Sequence, residues 1–432
     1  MKRVRNHPNS LLFWNSLHKW FQMIYNDKNR KLLEKTMKRN LYKKTNVNKT
    51  AVFIGIILLV ITMFIIRYVG MEYWGILGTE DKVQNEKETL EDVLIETEES
   101  TEVIDNHPYD FTVCFAGDIN LDDNWGTTVF MDSQENGIYD CISEELIKSM
   151  QEADIMCLNN EFTFTERGEK IPGKLYHFRA NPSRVEVLKE LGVDVVKLAN
   201  NHACDYGSQS LLDTMDTLKE AEIEYIGAGK DLEEAMTPVY MEVDGKTVAF
   251  VAATRAEKNI KTPQATETEP GVLRCYETDL FVEAIKEAKK NADFVLAYVH
   301  WGTEYSYELE EVQLTSGKEY LDAGADAIIG AHSHCLQGME YYEGKPIIYS
   351  LGNYWFNEKT LDTMLLELHF SGNDLESQLD VKVIPAIQED YKTTFVSDKE
   401  ERERIFSFLE GISINVSIDE NGILKEIIEV AE

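Results

Sequence analysis

The chain has 432 residues, with 77 acidic against 43 basic side chains and a net charge of −34, long enough for one large α/β domain with appendages. So acidic a protein argues against a nucleic-acid partner, which needs a basic face to meet phosphates. Six cysteines without a CxxC pair or regular spacing exclude a zinc ribbon; Cys114 and Cys157 fall inside apolar runs and read as buried hydrophobes.

Residues 1–49 carry thirteen Lys/Arg against Asp27 and Glu34 and read as a basic cytoplasmic segment. These cations either lie against anionic headgroups or only set topology. Ala51–Ile66 is uncharged and sits between Lys49 and Arg67. Extended to 50–70, it predicts a single transmembrane helix across a ~30 Å hydrocarbon core. Basic residues before the span and Tyr68, Tyr73 and Trp74 after it place the N-terminus in the cytoplasm and the main domain outside. A basic leader of this length does not suit a cleaved signal peptide. Residues 71–109 are rich in Glu and Asp and read as an extended, self-repelling stalk.

From Asp110 the texture becomes alternating strands and amphipathic helices. Strands are expected at Phe111–Ala116, Asp154–Leu158, Asp194–Leu198, Glu224–Ile226, Thr247–Ala253, Asp293–Val299, Ala327–Ile329, Pro346–Ser350, Met364–Phe370 and Leu379–Ile384. Helices are expected at Cys141–Gln151, Ser183–Leu191, Ser208–Ala221, Leu280–Lys290 and Val312–Ala323. This alternation predicts an α/β domain over 110–390 with a largely parallel central sheet. The last two strands have no helix between them and suit antiparallel pairing. Residues 391–432 read as an extension of one charged helix, Asp398–Glu410, and a final strand or two.

Five strand-like runs end in residues able to bind metal: Phe115-Ala-Gly-Asp-Ile-Asn120, Cys157-Leu-Asn-Asn-Glu161, Leu198-Ala-Asn-Asn-His202, Tyr298-Val-His-Trp-Gly302 and Ile329-Gly-Ala-His-Ser-His334. In open α/β sheets, ligands gather beyond the carboxyl ends of the strands. That rule brings Asp118, Asn120, Glu161, Asn201, His202, His300, His332 and His334 to one place. Carboxylate, amide and imidazole donors without thiolate suit Mn, Fe or Zn. There are too many donors for one ion, so two divalent ions about 3.5–4 Å apart, bridged by a carboxylate, are expected. Arg179 either clamps an anionic substrate or makes a surface salt bridge. Trp301 and Glu304 follow the His300 motif as pocket wall, with packing the rival role for Trp301. Asn353 is either a hydrogen-bond partner behind the ligands or a turn residue.

The order GD, NE, NNH, HWG and GxHxH, followed by Ser350-Leu-Gly-Asn-Tyr-Trp-Phe356, resembles the CapA family of poly-γ-glutamate capsule synthesis, within the metallophosphoesterase-like superfamily. The likeness runs from about Asp110 to Ile384. It implies a layered αββα sandwich. It also implies that Asp118, Glu161 and His334 hold one metal, with Asn120 standing where the wider superfamily has a histidine. Glu161 would bridge to a second metal held by Asn201, His300 and His332. His202, oriented by Asp205, would give a proton to the leaving group. The function implied is a membrane-anchored, metal-dependent hydrolase or transferase acting on a cell-envelope polymer, nominally poly-γ-glutamate, beside membrane polymer synthase subunits. An envelope phosphoesterase and a non-catalytic anchoring or export subunit are the alternatives.

Overall fold

The computed structural model describes residues 107–257, 261–373 and 375–428. The basic segment, the expected 50–70 helix and all but the end of the acidic stalk lie outside the described residues. Among the described residues no helix is long and apolar enough to cross a membrane.

In chain order the main elements are β1 (Tyr109–Ile119), α1 (Gly126–Asp132), α2 (Glu144–Glu152), β2 (Ile155–Asn160), α3 (Val185–Glu190), β3 (Val195–Lys197), α4 (Ser208–Glu220), β4 (Glu224–Ile226), α5 (Leu232–Met236) and β5 (Val239–Val243). There follow β6 (Lys246–Thr254), α6 (Asp279–Asn291), β7 (Phe294–His300), α7 (Glu311–Asp322), β8 (Ala327–Ala331), β9 (Leu336–Tyr342), β10 (Lys345–Leu351) and β11 (Asn353–Trp355). The chain closes with β12 (Leu361–Gly372), β13 (Ser377–Glu389), β14 (Lys392–Phe395), α8 (Lys399–Ile412), β15 (Val416–Ile418) and β16 (Leu424–Glu426).

The strands form two main sheets, not the one central sheet that alternation suggests. The first runs β14-β13-β12-β1-β2-β3-β4, with β11 also pairing with β1. Its β1 to β4 half is parallel, whereas β12, β13 and β14 pair antiparallel. The second runs β9-β10-β8-β7-β6-β5, parallel inside with an antiparallel strand at each edge.

Three apolar clusters define the layers. Phe111, Val113 and Phe115 of β1 meet Phe250, Leu296, Tyr298 and Ile348 between the sheets. Cys114, Ala116 and Leu158 turn the other way, under Leu146, Met150, Leu188 and Leu211 of the helices. On the far side, Val251, Val295 and Val299 pack beneath Phe281, Ile285 and Tyr320. The order is therefore helix, sheet, sheet, helix. Strands covered on both faces read as unbroken apolar runs whichever sheet they join, so this doubling is invisible to periodicity. Each fully buried Val, Leu, Ile or Phe contributes about 1.5–3 kcal/mol, which makes the two sheets a stiff frame for the rim above them.

Local chemistry explains the helices. In α6 the buried residues Phe281, Ala284, Ile285 and Ala288 recur at helical spacing, and Lys289 and Lys290 lie in its last turn, where the dipole favours cations. Asp398 caps α8 by accepting from the Glu401 amide at 2.9 Å. The 391–432 segment is not an appendage: β14 pairs with β13, and Ile405, Phe406 and Leu409 of α8 enter the core between the sheets. Its helix looked merely charged because only one narrow stripe is apolar. All six cysteines are buried and unbridged. Burial pushes the Cys114 thiol up to about 12, where it is inert.

Candidate metal centre

The carboxyl ends of both sheets meet at one rim. Asp118 lies near the end of β1, Glu161 just after β2, and Asn201 and His202 after β3. The second sheet supplies His300, the last residue of β7, and His332 and His334 just after β8. All seven are buried.

Backbone geometry is specialised here. β1 carries an irregularity at Gly117, next to which the Asp118 amide donates to the Gly352 carbonyl at 2.9 Å. A Cβ at Gly117 would lie 2.0 Å from that carbonyl oxygen, so only glycine fits. His332 and His334 have φ of 98° and 55°. Left-handed backbone at non-glycine residues costs on the order of 1–3 kcal/mol each and persists only where surroundings impose it. Ser333 between them is pinned by its hydroxyl, which donates to the Cys335 carbonyl at 2.7 Å and bonds the Ser350 hydroxyl at 2.8 Å.

Two groups of donors lie close enough to share an ion: Asp118, Glu161 and His334, and Glu161, His300 and His332. Glu161 belongs to both. Its Oε2 accepts from Asn159 at 2.8 Å. Its Oε1 makes no hydrogen bond, yet lies 3.9 Å from His202 Nε2, 3.9 Å from His300 Nε2 and 3.8 Å from His334 Nε2. Donors about 2.0–2.2 Å from a common ion are separated by roughly this distance. Asp118 Oδ2 and His332 Nδ1 are likewise buried without a hydrogen bond. Asp118 Oδ2 is 3.2 Å from His334 Nδ1, in poor alignment. Orphaned buried donors of this kind are costly, and a pair of divalent cations would satisfy them. The residues fit the group.

The remaining contacts orient these donors. Asn159 Nδ2 bridges Asp118 Oδ1 (2.6 Å) and Glu161 Oε2, while Asn159 Oδ1 accepts from Asn200 at 3.1 Å. Asn201 Oδ1 lies 2.8 Å from His300 Nε2, and Lys197 Nζ lies 2.9 Å from His300 Nδ1. His334 Nδ1 donates to Asn353 Oδ1 at 2.8 Å. His202 Nδ1 pairs with Asp205 Oδ2 at 2.7 Å, leaving Nε2 facing the centre. Asp205 also accepts from Lys174 Nζ (2.6 Å) and from the Phe178 amide (2.7 Å).

Electrostatics follow from burial and these contacts. Burial and the neighbouring Asp118 charge raise Glu161 well above the usual carboxylate range. Burial opposes the Asp118 charge too, but the nearby His334 and Lys197 charges and the Asn159 hydrogen bond outweigh it and hold Asp118 low. Burial lowers His300 and His202, and takes His332 down to about 3, so all three imidazoles are neutral and able to ligate at pH 7. Burial also lowers Lys197, to about 8, against the pull of Asp118 and Glu161.

Three expected residues sit differently. Asn120 is buried; its Oδ1 accepts from the Asp122 amide at 2.8 Å, and its Nδ2 makes no hydrogen bond among the described residues. Trp301, expected as pocket wall, is fully buried beside Tyr320 and Tyr349 and donates to the Tyr349 carbonyl at 2.9 Å. It points down from the rim because side chains alternate along the strand direction, and His300 points in. Arg179 stacks 4.0 Å over the Tyr206 ring and makes no ion pair among the described residues. Glu304 is exposed and lines a cavity next to His332. Asn159, Asn200, Lys174 and Lys197 were not anticipated. The doubled Asn-Asn before Glu161 and before His202 was the available signal: in each pair the first asparagine holds the frame.

The sequence profile of the bacterial capsule synthesis proteins (PGA_cap) matches residues 112–358. A PGA biosynthesis protein CapA of Bacillus subtilis is 31% identical over 345 residues, covering 79% of this chain and 82% of the relative. A capsule biosynthesis protein CapA of Bacillus anthracis is 37% identical over 207 residues, which span 46% of this chain and only 50% of that relative. A solved phosphatase of Mycoplasma pneumoniae aligns with 66% of this chain and 95% of its own at 14% identity and a TM-score of 0.39. The profile encloses both donor groups, and this chain belongs to the family of bacterial capsule synthesis proteins.

Proposed function

We propose that this protein is a membrane-anchored, extracytoplasmic enzyme of envelope-polymer synthesis that hydrolyses or transfers an amide-linked acidic polymer of the poly-γ-glutamate type. The relatives' names supply the polymer class, and the uncharged Ala51–Ile66 run supplies the anchor. One observation carries the chemistry: Glu161 Oε1 is a buried, unbonded carboxylate oxygen common to two sets of donors.

Asp118, Glu161 and His334 would hold one divalent ion, and Glu161, His300 and His332, with Asn201 beside them, the other. When bound, such ions polarise the bond under attack and lower the pKa of the attacking group. The protein's own residues do the rest. Asp205 fixes the His202 ring through Nδ1, so Nε2 is the atom that carries a proton to or from the reacting group. This kind of acid catalysis supplies about 10²–10⁴ in rate. Asn159 and Asn200 keep both carboxylates aimed while leaving one oxygen of each open. The donor side chains are buried, which strengthens each of these interactions.

Metal analysis of the purified full-length protein tests the reading, together with turnover of γ-glutamyl oligomers. Two equivalents of a transition metal, lost on Glu161→Ala along with turnover, are expected. A protein that binds no such metal, or turns over aryl phosphates but no γ-glutamyl oligomer, would refute it. Membrane fractionation of the full chain, with retention in the membrane expected, tests the anchor.

A further inference from the structure

A cavity of about 320 Å³ opens beside the metal centre, and its lining includes Arg255, Glu257, Tyr276, Glu304, Glu310 and His332. Two of the three acids are occupied structurally. Glu310 caps α7 and accepts from the Thr303 hydroxyl at 2.7 Å. Glu257 accepts from the amides of Lys261 and Thr262 at 3.1 and 3.0 Å. Glu304 is different: it is exposed, and no hydrogen bond or ion pair holds its carboxylate among the described residues. Arg255 is anchored by its backbone amide to the His300 carbonyl at 2.8 Å. Its guanidinium lies 4.6 Å over the Tyr276 ring, and among the described residues only Nη1 is used, on the Tyr276 carbonyl at 3.0 Å. His332, buried and unbonded at Nδ1, closes the end nearest the metals.

The cavity thus presents one cation with spare guanidinium donors and one uncommitted anion, within a lining that is acidic overall. An internal stretch of a polyanion carries only carboxylates and meets net repulsion there. A group bearing an ammonium and a carboxylate on one carbon meets a partner for each. In a γ-linked glutamyl chain every residue keeps its α-carboxylate, but only the amino-terminal residue keeps its α-amine, which is largely protonated at pH 7. We propose that this cavity binds the amino-terminal residue of such a polymer, Arg255 taking the α-carboxylate and Glu304 the α-ammonium. The inference rests on the polymer class proposed above and adds which end of the chain is recognised.

The test is binding of a γ-linked glutamyl pentamer to the full-length, metal-loaded protein, with a free or an acetylated amino terminus. The free form should bind about tenfold or more tightly than the acetylated form, the worth of one charge-assisted hydrogen bond. Glu304→Gln should reduce that preference to about threefold or less, without changing the melting temperature, because Glu304 is exposed and supports nothing. Arg255→Gln should weaken both forms by similar factors, because both retain the α-carboxylate. Equal binding of the two pentamers, or an unchanged preference in Glu304→Gln, overturns the inference and leaves the polymer class standing. If neither pentamer binds the wild-type protein, the polymer class falls and this inference falls with it.

Discussion

Asp205→Asn separates the frame of the site from its metals. Asp205 is fully buried and receives three donors on two oxygens: His202 Nδ1 and the Phe178 amide on Oδ2, and Lys174 Nζ on Oδ1. Asparagine keeps the shape but turns one oxygen into a donor. With its NH2 toward Lys174, two donors face each other and a buried ammonium, only 8% exposed, keeps Glu257 at 3.6 Å as its one carboxylate. With its NH2 the other way, the Phe178 amide and His202 lose their acceptor. Either orientation loses at least one charge-assisted hydrogen bond, about 1.5–3 kcal/mol, and breaks a buried ion pair, for which about 3–5 kcal/mol is typical. These overlap, so the expected loss is about 3 kcal/mol, or roughly 4–5 °C in Tm for a domain of about 320 residues. Calorimetry and urea unfolding in EDTA would measure it on metal-free protein. Asp205 belongs to neither donor group, so metal stoichiometry should stay unchanged while turnover falls. A variant that melts within a degree of wild type, or that loses a metal, would refute the reasoning.

Gly117→Ala should cost about 3 kcal/mol, at the upper end for overpacking, because a Cβ 2.0 Å from the Gly352 carbonyl forces β1 and the 351–353 turn apart. Asp118 and Asn353 move with them, so metal titration should show the site proposed on Asp118 and His334 weakened before the one proposed on His300 and His332. A pH series on metal-free protein should show stability falling from pH 6.5 to 5. His202, His300 and His332 are lowered in the folded state, so the stability they confer is complete above about 6.5 and is lost as pH falls. The raised Glu161 offsets part of that loss, whereas the raised His334 acts at and above about 6.5, outside this window. Saturating metal should steepen the loss, since protons then compete with the ions for the same nitrogens; a flat profile in EDTA would contradict the directions assigned here.

The extent to which sequence reveals such a site can be read residue by residue. Each donor follows a strand whose apolar run is unmistakable, and a strand's carboxyl end is where α/β folds place chemistry. Hence Asp118, Glu161, His300, His332 and His334 were nameable without coordinates. The antiparallel pairing of Leu361–Gly372 with Ser377–Glu389 was legible from the lack of an intervening helix. By contrast β5, β9, β11 and β14 were not anticipated: they are edge strands or short ones, with weaker apolar signals. Trp301 was misplaced because an aromatic beside a ligand fits a pocket wall and a core equally well in one dimension.

Chain order and residue type were therefore sufficient to name the side chains that gather in two candidate metal-binding groups, because ligand chemistry and strand ends are local properties. Periodicity did not show that two sheets, rather than one, face each other, which only the family resemblance implied; folding then decided how the β1–β3 donors meet those of β7 and β8. It also decided that Trp301 packs into the core while Lys174, Lys197 and Arg255 come in. Those outcomes depend on which buried face meets which partner, and burial on both faces leaves no periodic trace of the choice.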